Sequence, residues 1–261
     1  MKLEDTRTAA AILLQHWRQS TRLPELPAHC RPGTRAEGYA IQYEMAKLSG
    51  QNIVGWKIAA TSAAGQQHIQ VDGPIAGCLL AARGREGGAR IALAGNNMKV
   101  AEAEFAFRMG GDLPKRQASY SVDEVIAAVA SLHPAIEVPD SRYEDFTRVG
   151  APQLIADLAC GCWFAIGPAT DADWRKVDLA HHGVAAYRNG ELAGEGTGAK
   201  VLGDPRAALA WIANELCAYG EGLRAGDVVI TGTCLTPVPV SAEDSVKMDF
   251  GEFGALELGF G

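Results

Sequence analysis

The 261-residue chain predicts an α+β fold, and three observations carry that prediction. Short runs of β-type composition recur from Ile53 to the C-terminus, many of them separated by turns rich in the chain's 30 glycines. Helical periodicity is confined to a few stretches. These do not alternate strictly with the strands, as a parallel α/β sheet would require.

The elements follow in order. Thr6 to Arg18 carries Ala9, Leu13, Leu14 and Trp17 at helical spacing, and the Pro-rich Leu23–Pro27 segment breaks the pattern. Arg35 to Leu48 reads as a second helix, stopped by Gly50. Residues 1–50 are therefore read as an N-terminal helical region suited to packing or oligomerisation, and 51–261 as a catalytic mixed-β domain. Strands are predicted at Ile53–Ala59, Lys99–Met109, Ala135–Val138, Trp163–Ile166, Val184–Arg188, Asp227–Thr231, Val246–Phe250 and Ala255–Phe260. Three helices interrupt them. Ser121 and Glu124 form a capping box, Gly150 to Ala159 reads as a short helix, and Asp204-Pro205 starts a helix that runs to about Tyr219. A further helix follows Ser62, as N-cap, through Gln70.

Composition excludes several classes. Hydrophobic residues make up 48% and charged residues 21%, which suits a soluble protein with a sizeable core. A net charge of −7 argues against a broad nucleic-acid surface. No apolar run is long enough for a transmembrane helix, and the N-terminus lacks a signal-peptide core, so a cytoplasmic location is expected. The six cysteines are dispersed, with only Cys160-Gly-Cys162 close together, and read as small buried residues rather than zinc ligands.

Three acids carry the chemistry. In Val100-Ala-Glu-Ala-Glu-Phe-Ala-Phe107, period two puts Glu102 and Glu104 on one strand face and Ala103, Phe105 and Phe107 on the other. Two like charges among apolar residues repel each other and resist burial, and a divalent cation is the simplest way to keep both ionised. Their hard oxygens favour Mg²⁺ or Mn²⁺ over zinc. Glu137, in the apolar run Ala135–Val138, offers a third ligand from a neighbouring strand. A lone Glu-x-Glu reads more simply as a solvated strand face; the second acid in apolar company shifts the balance.

The order of segments resembles the hydratase and decarboxylase branch of the fumarylacetoacetate hydrolase superfamily over essentially the whole length. The likeness rests on Gly55-Trp-Lys-Ile-Ala-Ala-Thr-Ser62, on the two acidic stretches (the second extended as Pro134 to Arg142), and on Gly203 to Leu216. Leu223 to Thr233 and Met248 to Gly254 add to it. The resemblance implies a mixed-β roll, a homo-oligomer, and Mg²⁺ or Mn²⁺ held by Glu102, Glu104 and Glu137. It places the family's lysine at Lys57, to orient a substrate carboxylate or assist proton transfer. It also puts Thr61, Ser62 and Thr231-Gly232-Thr233 at the substrate, although Ser62 as N-cap and the threonines as local turn residues have purely structural readings too.

The activity implied is a metal-dependent lyase of the 2-keto-4-pentenoate hydratase type. It adds water to a small 2-hydroxy-2,4-dienoate, or its 2-oxo tautomer, in aromatic meta-cleavage catabolism. The alternatives are a 4-oxalocrotonate-type decarboxylase and a catalytically silent partner subunit that associates with a pathway enzyme. Two departures from the branch stand out. Ile75 occupies the place of an acid found in many of its hydratases; either Asp72 compensates as a catalytic residue from a shifted position, or the proton chemistry differs, an apolar residue there being closer to the decarboxylase pattern. Leu158 replaces an asparagine. Asp140 and Arg142 lie where they can support the metal ligands, with a surface ion pair between them an equally simple reading, and His68 reads as a helix-surface residue.

Overall fold

Two helices open the chain. In the computed structural model, which describes residues 1–261, α1 spans Leu3–Gln19 and α2 spans Arg35–Ser49. Thr34 and Glu37 form a reciprocal capping box at the start of α2, and Gly50 ends it at φ 72°. Leu13 and Trp17 of α1 and Ile41 and Met45 of α2 enter a hydrophobic core that continues through the sheets to Phe260. Residues 1–50 thus share one core with the rest of the chain.

The longer strands are β1 (Ile53–Ala59), β2 (Ile75–Leu80), β3 (Val100–Met109), β4 (Val129–Val138) and β5 (Trp163–Ile166). They continue as β6 (Gly183–Arg188), β7 (Glu191–Thr197), β8 (Val228–Thr233), β9 (Ser245–Asp249) and β10 (Ala255–Phe260). Four further helices are α3 (Ala63–His68), α4 (Val122–Ala127), α5 (Ala151–Ala156) and α6 (Pro205–Tyr219). The main sheet runs β2-β1-β8-β3-β4-β5, with Gly84–Arg85 at its edge. Within it β1 pairs parallel with β8, while β3 is antiparallel to both β8 and β4. A second sheet, β7-β6-β9-β10 with Arg90–Ile91, packs β9 and β10 against β4. Phe105 of β3 meets Phe250 and Phe253 edge-on there. This is the mixed α+β architecture expected.

The departures from expectation have local causes. β4 starts at Val129 rather than Ala135, because Pro134 does not end it: its carbonyl still accepts the Gly167 N–H at 2.8 Å. β2 is buried at all six positions, so it shows no alternation to read. β7 is a largely exposed polar edge. The helix after Ser62 stops at His68, and α5 stops at Ala156, before a turn of opposite hand.

Candidate metal and substrate site

Strand register assembles the acids. Glu102 is the direct cross-strand partner of Glu137 in the β3–β4 pair, and Glu104 follows two residues along the same face. One oxygen from each of the three carboxylates lies within 4.8 Å of the others. Glu104 and Glu137 are fully buried. Glu104 Oε1 and both oxygens of Glu137 accept no hydrogen bond. Anionic oxygens left bare in a protein interior are costly unless a proton or a cation meets them. Burial raises all three carboxyl pKa values, and repulsion from Glu137 adds to it at Glu102 and Glu104; Glu102 is pushed up to about 7. Hard and clustered, with three of their buried oxygens lacking a hydrogen bond, these donors fit a divalent cation of the Mg²⁺ type.

β8 is bent to serve this cluster. Its register against β3 slips by one residue between Ile230 and Thr233, and the extra residue forms a bulge. Gly232, at φ 107°, turns its N–H onto Glu104 Oε2 at 2.6 Å. A Cβ there would stand 2.2 Å from Thr61 Oγ1, so glycine is required on two counts.

Lys57 reaches the cluster from β1. Its buried ammonium lies 3.2 Å from Glu137 Oε1 and donates to the Ala159 carbonyl at 2.9 Å. Burial alone depresses a lysine pKa, but attraction to Glu137, then Glu102 and Glu104, outweighs that and raises it. The Ala159 carbonyl belongs to an unusual turn: Leu158, Ala159 and Cys160 all have left-handed backbone, at φ 55°, 49° and 63°. For residues with a Cβ this costs about 1–2 kcal/mol each. Every carbonyl of the turn is nonetheless met. Those of Asp157, Leu158 and Cys160 accept from Cys160, Gly161 and Asp140 N–H groups respectively.

A cavity of about 460 Å³ opens over Lys57 and Glu102. Thr61, Ser62, Gly232 and Thr233 line it. Ser62 Oγ accepts the Gly65 N–H as helix cap, leaving its hydroxyl proton free, whereas Thr233 Oγ1 donates to Leu235 O. Two predicted site residues fall elsewhere. Thr231 is fully buried and outside the cavity lining, and its hydroxyl donates to the Phe105 carbonyl at 3.1 Å across the β8–β3 pair. Asp72 is exposed on a bend before β2 and does not line the cavity, whereas Ile75 is buried in its wall. His68 is exposed but stands at the rim, edge-on to Phe146. Asp140 and Arg142 do not pair with each other: Asp140 takes Arg22 at 2.5 Å, and Arg142 takes Asp157. Sequence reasoning missed Met98, Phe146 and Leu235 in the wall, the Lys57–Ala159 contact and the Arg142–Asp157 pair. Isolated apolar residues in loops and a backbone carbonyl leave no pattern to find.

A family model described as the fumarylacetoacetate (FAA) hydrolase C-terminal region matches residues 77–260. The chain belongs to the fumarylacetoacetate hydrolase family. Within that family it is 34% identical to a 2-hydroxyhexa-2,4-dienoate hydratase of Comamonas testosteroni, over 87% of this chain and 86% of the relative. It is 33% identical to a 2-keto-4-pentenoate hydratase of Burkholderia vietnamiensis, over 88% of each. Among solved structures of the fumarylacetoacetate hydrolase fold, 4-oxalocrotonate decarboxylase from Pseudomonas putida G7, complexed with magnesium and adipate, superposes with a TM-score of 0.89 at 29% identity. The match covers 100% of this chain and 98% of that one.

Proposed function

We propose that this protein is a divalent-metal-dependent lyase of the 2-keto-4-pentenoate hydratase type, acting on a small 2-hydroxy-2,4-dienoate. The observation that carries the reading is the Glu102–Glu104–Glu137 cluster, half-buried at Glu102 and fully buried at Glu104 and Glu137, set beside Lys57 at the floor of a cavity. Glu102, Glu104 and Glu137 would hold Mg²⁺ or Mn²⁺, which supplies a Lewis acid for the charge that develops on an enolate. The relatives named as hydratases and the magnesium-bound decarboxylase support both the activity and the metal.

The chain's own groups do the rest. Ser62 and Thr61 present hydroxyls to the substrate carboxylate. The 2-hydroxydiene loses its hydroxyl proton and gains one at its far carbon, becoming an α,β-unsaturated ketone; water then adds at the β-carbon. Lys57 Nζ, held by Ala159 O and Glu137, is the protonated group placed to deliver and recover protons. Apolar side chains, among them Ile69, Met98, Phe146 and Leu235, make up much of the remaining wall, and Lys200 lines it from an exposed position. A substrate with a short alkyl tail suits that wall better than one with a second carboxylate, which apolar surface would desolvate.

Decarboxylation is the second reading, and Ile75 favours it. Glu102 is the only carboxylate lining the cavity, and loss of CO₂ requires no group to activate water. The test is hydration of 2-hydroxypenta-2,4-dienoate in ¹⁸O-labelled water with Mg²⁺. A labelled oxygen at C4 of a 4-hydroxy-2-oxo acid, where it does not exchange with solvent as the 2-oxo oxygen does, supports the hydratase; substrate left unchanged under these conditions removes it.

A further inference from the structure

Arg142 and Asp157 form a fully buried ion pair, and neither lines the cavity. Asp157 Oδ2 accepts from Ser141 Oγ at 2.7 Å and from the Arg142 backbone N–H at 2.9 Å, while Oδ1 takes Arg142 Nε. The guanidinium then donates to two backbone carbonyls, Asp157 O and, at 3.0 Å, Gly161 O. Those carbonyls flank Leu158, Ala159 and Cys160, the three consecutive left-handed residues. Ala159, at the middle of the run, offers the carbonyl that receives Lys57 Nζ.

The geometry makes this bracket specific. A guanidinium is a rigid planar fork, so contacts to both ends of the turn fix their separation. The far side of the turn lies against β2, where a Cβ on Gly77 would stand 1.9 Å from Leu158 O. Nothing in the turn itself favours its hand, since none of the three residues is glycine. Lys57, by contrast, has a long flexible stem, and its amine stays beside Glu137 only while its partners stay in place.

We propose that the Arg142–Asp157 pair is a positioning device, which clamps the Leu158–Cys160 turn in its left-handed form so that the Ala159 carbonyl holds the Lys57 amine in the site. Its kinetic consequence rests on the reading of Lys57 given above; its structural consequence does not. The competing account is a pair that merely stabilises the fold.

The test compares the full-length wild type with Asp157→Asn, Arg142→Lys, and each combined with Ala159→Gly. Glycine takes the left-handed conformation without penalty and removes the need for a clamp. Three quantities are read: the rate of Lys57 acetylation by acetic anhydride, resolved by peptide mass spectrometry in EDTA; kcat and KM on 2-hydroxypenta-2,4-dienoate with Mg²⁺; and Mg²⁺ affinity by calorimetry. In the single variants, Lys57 labelling rises about tenfold as the amine is released. Their kcat falls about 100-fold, as for a displaced catalytic group, with KM and Mg²⁺ affinity little changed. Adding Ala159→Gly moves both labelling and kcat back towards wild type.

Folded single variants with wild-type labelling and kcat would overturn the proposal. So would a double variant that regains thermal stability but neither labelling protection nor kcat. Should Asp157→Asn not fold, Arg142→Lys, which keeps the buried charge, decides the matter alone. If the wild type turns over no dienoate, the functional reading fails while the labelling result still decides the clamp.

Discussion

Glu104→Gln should stabilise the metal-free protein at pH 8 while abolishing its response to Mg²⁺. The substitution keeps the side chain's size and its acceptor for the Gly232 N–H, and removes one charge from a buried cluster. The three ligand oxygens lie within 4.8 Å of one another. At an effective dielectric of about 20, each pair of ionised carboxylates at that distance repels by about 3.5 kcal/mol. Lys57 offsets part of this, so relief of about 3 kcal/mol is a fair scale. For a chain of this size that is a rise in Tm of about 6–12 °C.

The sign with pH follows from the raised pKa values. A carboxyl near 4.5 in the unfolded chain and pushed up to about 7 in the fold, as Glu102 is, binds more protons folded than unfolded between those values. Stability of the metal-free wild type therefore falls as pH rises through that window, by about 3 kcal/mol for this one group. The advantage of Glu104→Gln should accordingly shrink at pH 5, where the cluster holds its protons. Thermal unfolding at pH 5 and pH 8, with EDTA and with Mg²⁺, measures all of this. A variant no more stable than wild type at pH 8 in EDTA, or one that keeps the wild-type Mg²⁺-induced rise, would refute the reasoning.

Other perturbations separate the remaining roles. Lys57→Met should lower kcat by about 10²–10⁴-fold and leave Mg²⁺ binding intact by calorimetry; a loss confined to Tm would make the lysine structural. Ile75→Asp puts a carboxylate into the cavity wall and should raise hydration relative to any CO₂ release, read by product NMR. Gly232→Ala must displace Thr61 and strain a backbone at φ 107°, and should cost about 1–3 kcal/mol in denaturant unfolding together with most of the Mg²⁺ affinity. In competition, 2-hydroxyhexa-2,4-dienoate should show a higher kcat/KM than a dienoate carrying a second carboxylate; the reverse preference would remove the assignment of an apolar tail.

What the sequence made legible follows from what leaves a periodic or chemical trace. Alternation around Glu102 and Glu104 was readable because Ala103, Phe105 and Phe107 mark the opposite face, and the apolar company of Glu137 marked a third acid. The capping signals at Ser62, Ser121 and Asp204 fell where helices begin. Lys57 was identifiable only through family resemblance, since a lysine in a strand carries no sign of its partner. The position of Asp72 outside the cavity lining is not legible, because proximity in sequence to Ile75 says nothing about which side of a bend faces the cavity. The left-handed run at Leu158–Cys160 was invisible for a physical reason: its residues have no intrinsic preference for that hand, and the groups that hold it, Arg142 and Lys57, come from elsewhere in the chain. A buried cross-chain clamp is a tertiary fact without a local signature.

The most direct measurement of the central claim is a parallel assay of wild-type protein on 2-hydroxypenta-2,4-dienoate and 4-oxalocrotonate, with Mg²⁺ and with EDTA, following dienol absorbance and released CO₂. The account predicts Mg²⁺-dependent loss of the dienol without CO₂, abolished by EDTA. Release of CO₂ from the dicarboxylate with no hydration of the dienoate, or turnover indifferent to EDTA, would contradict it.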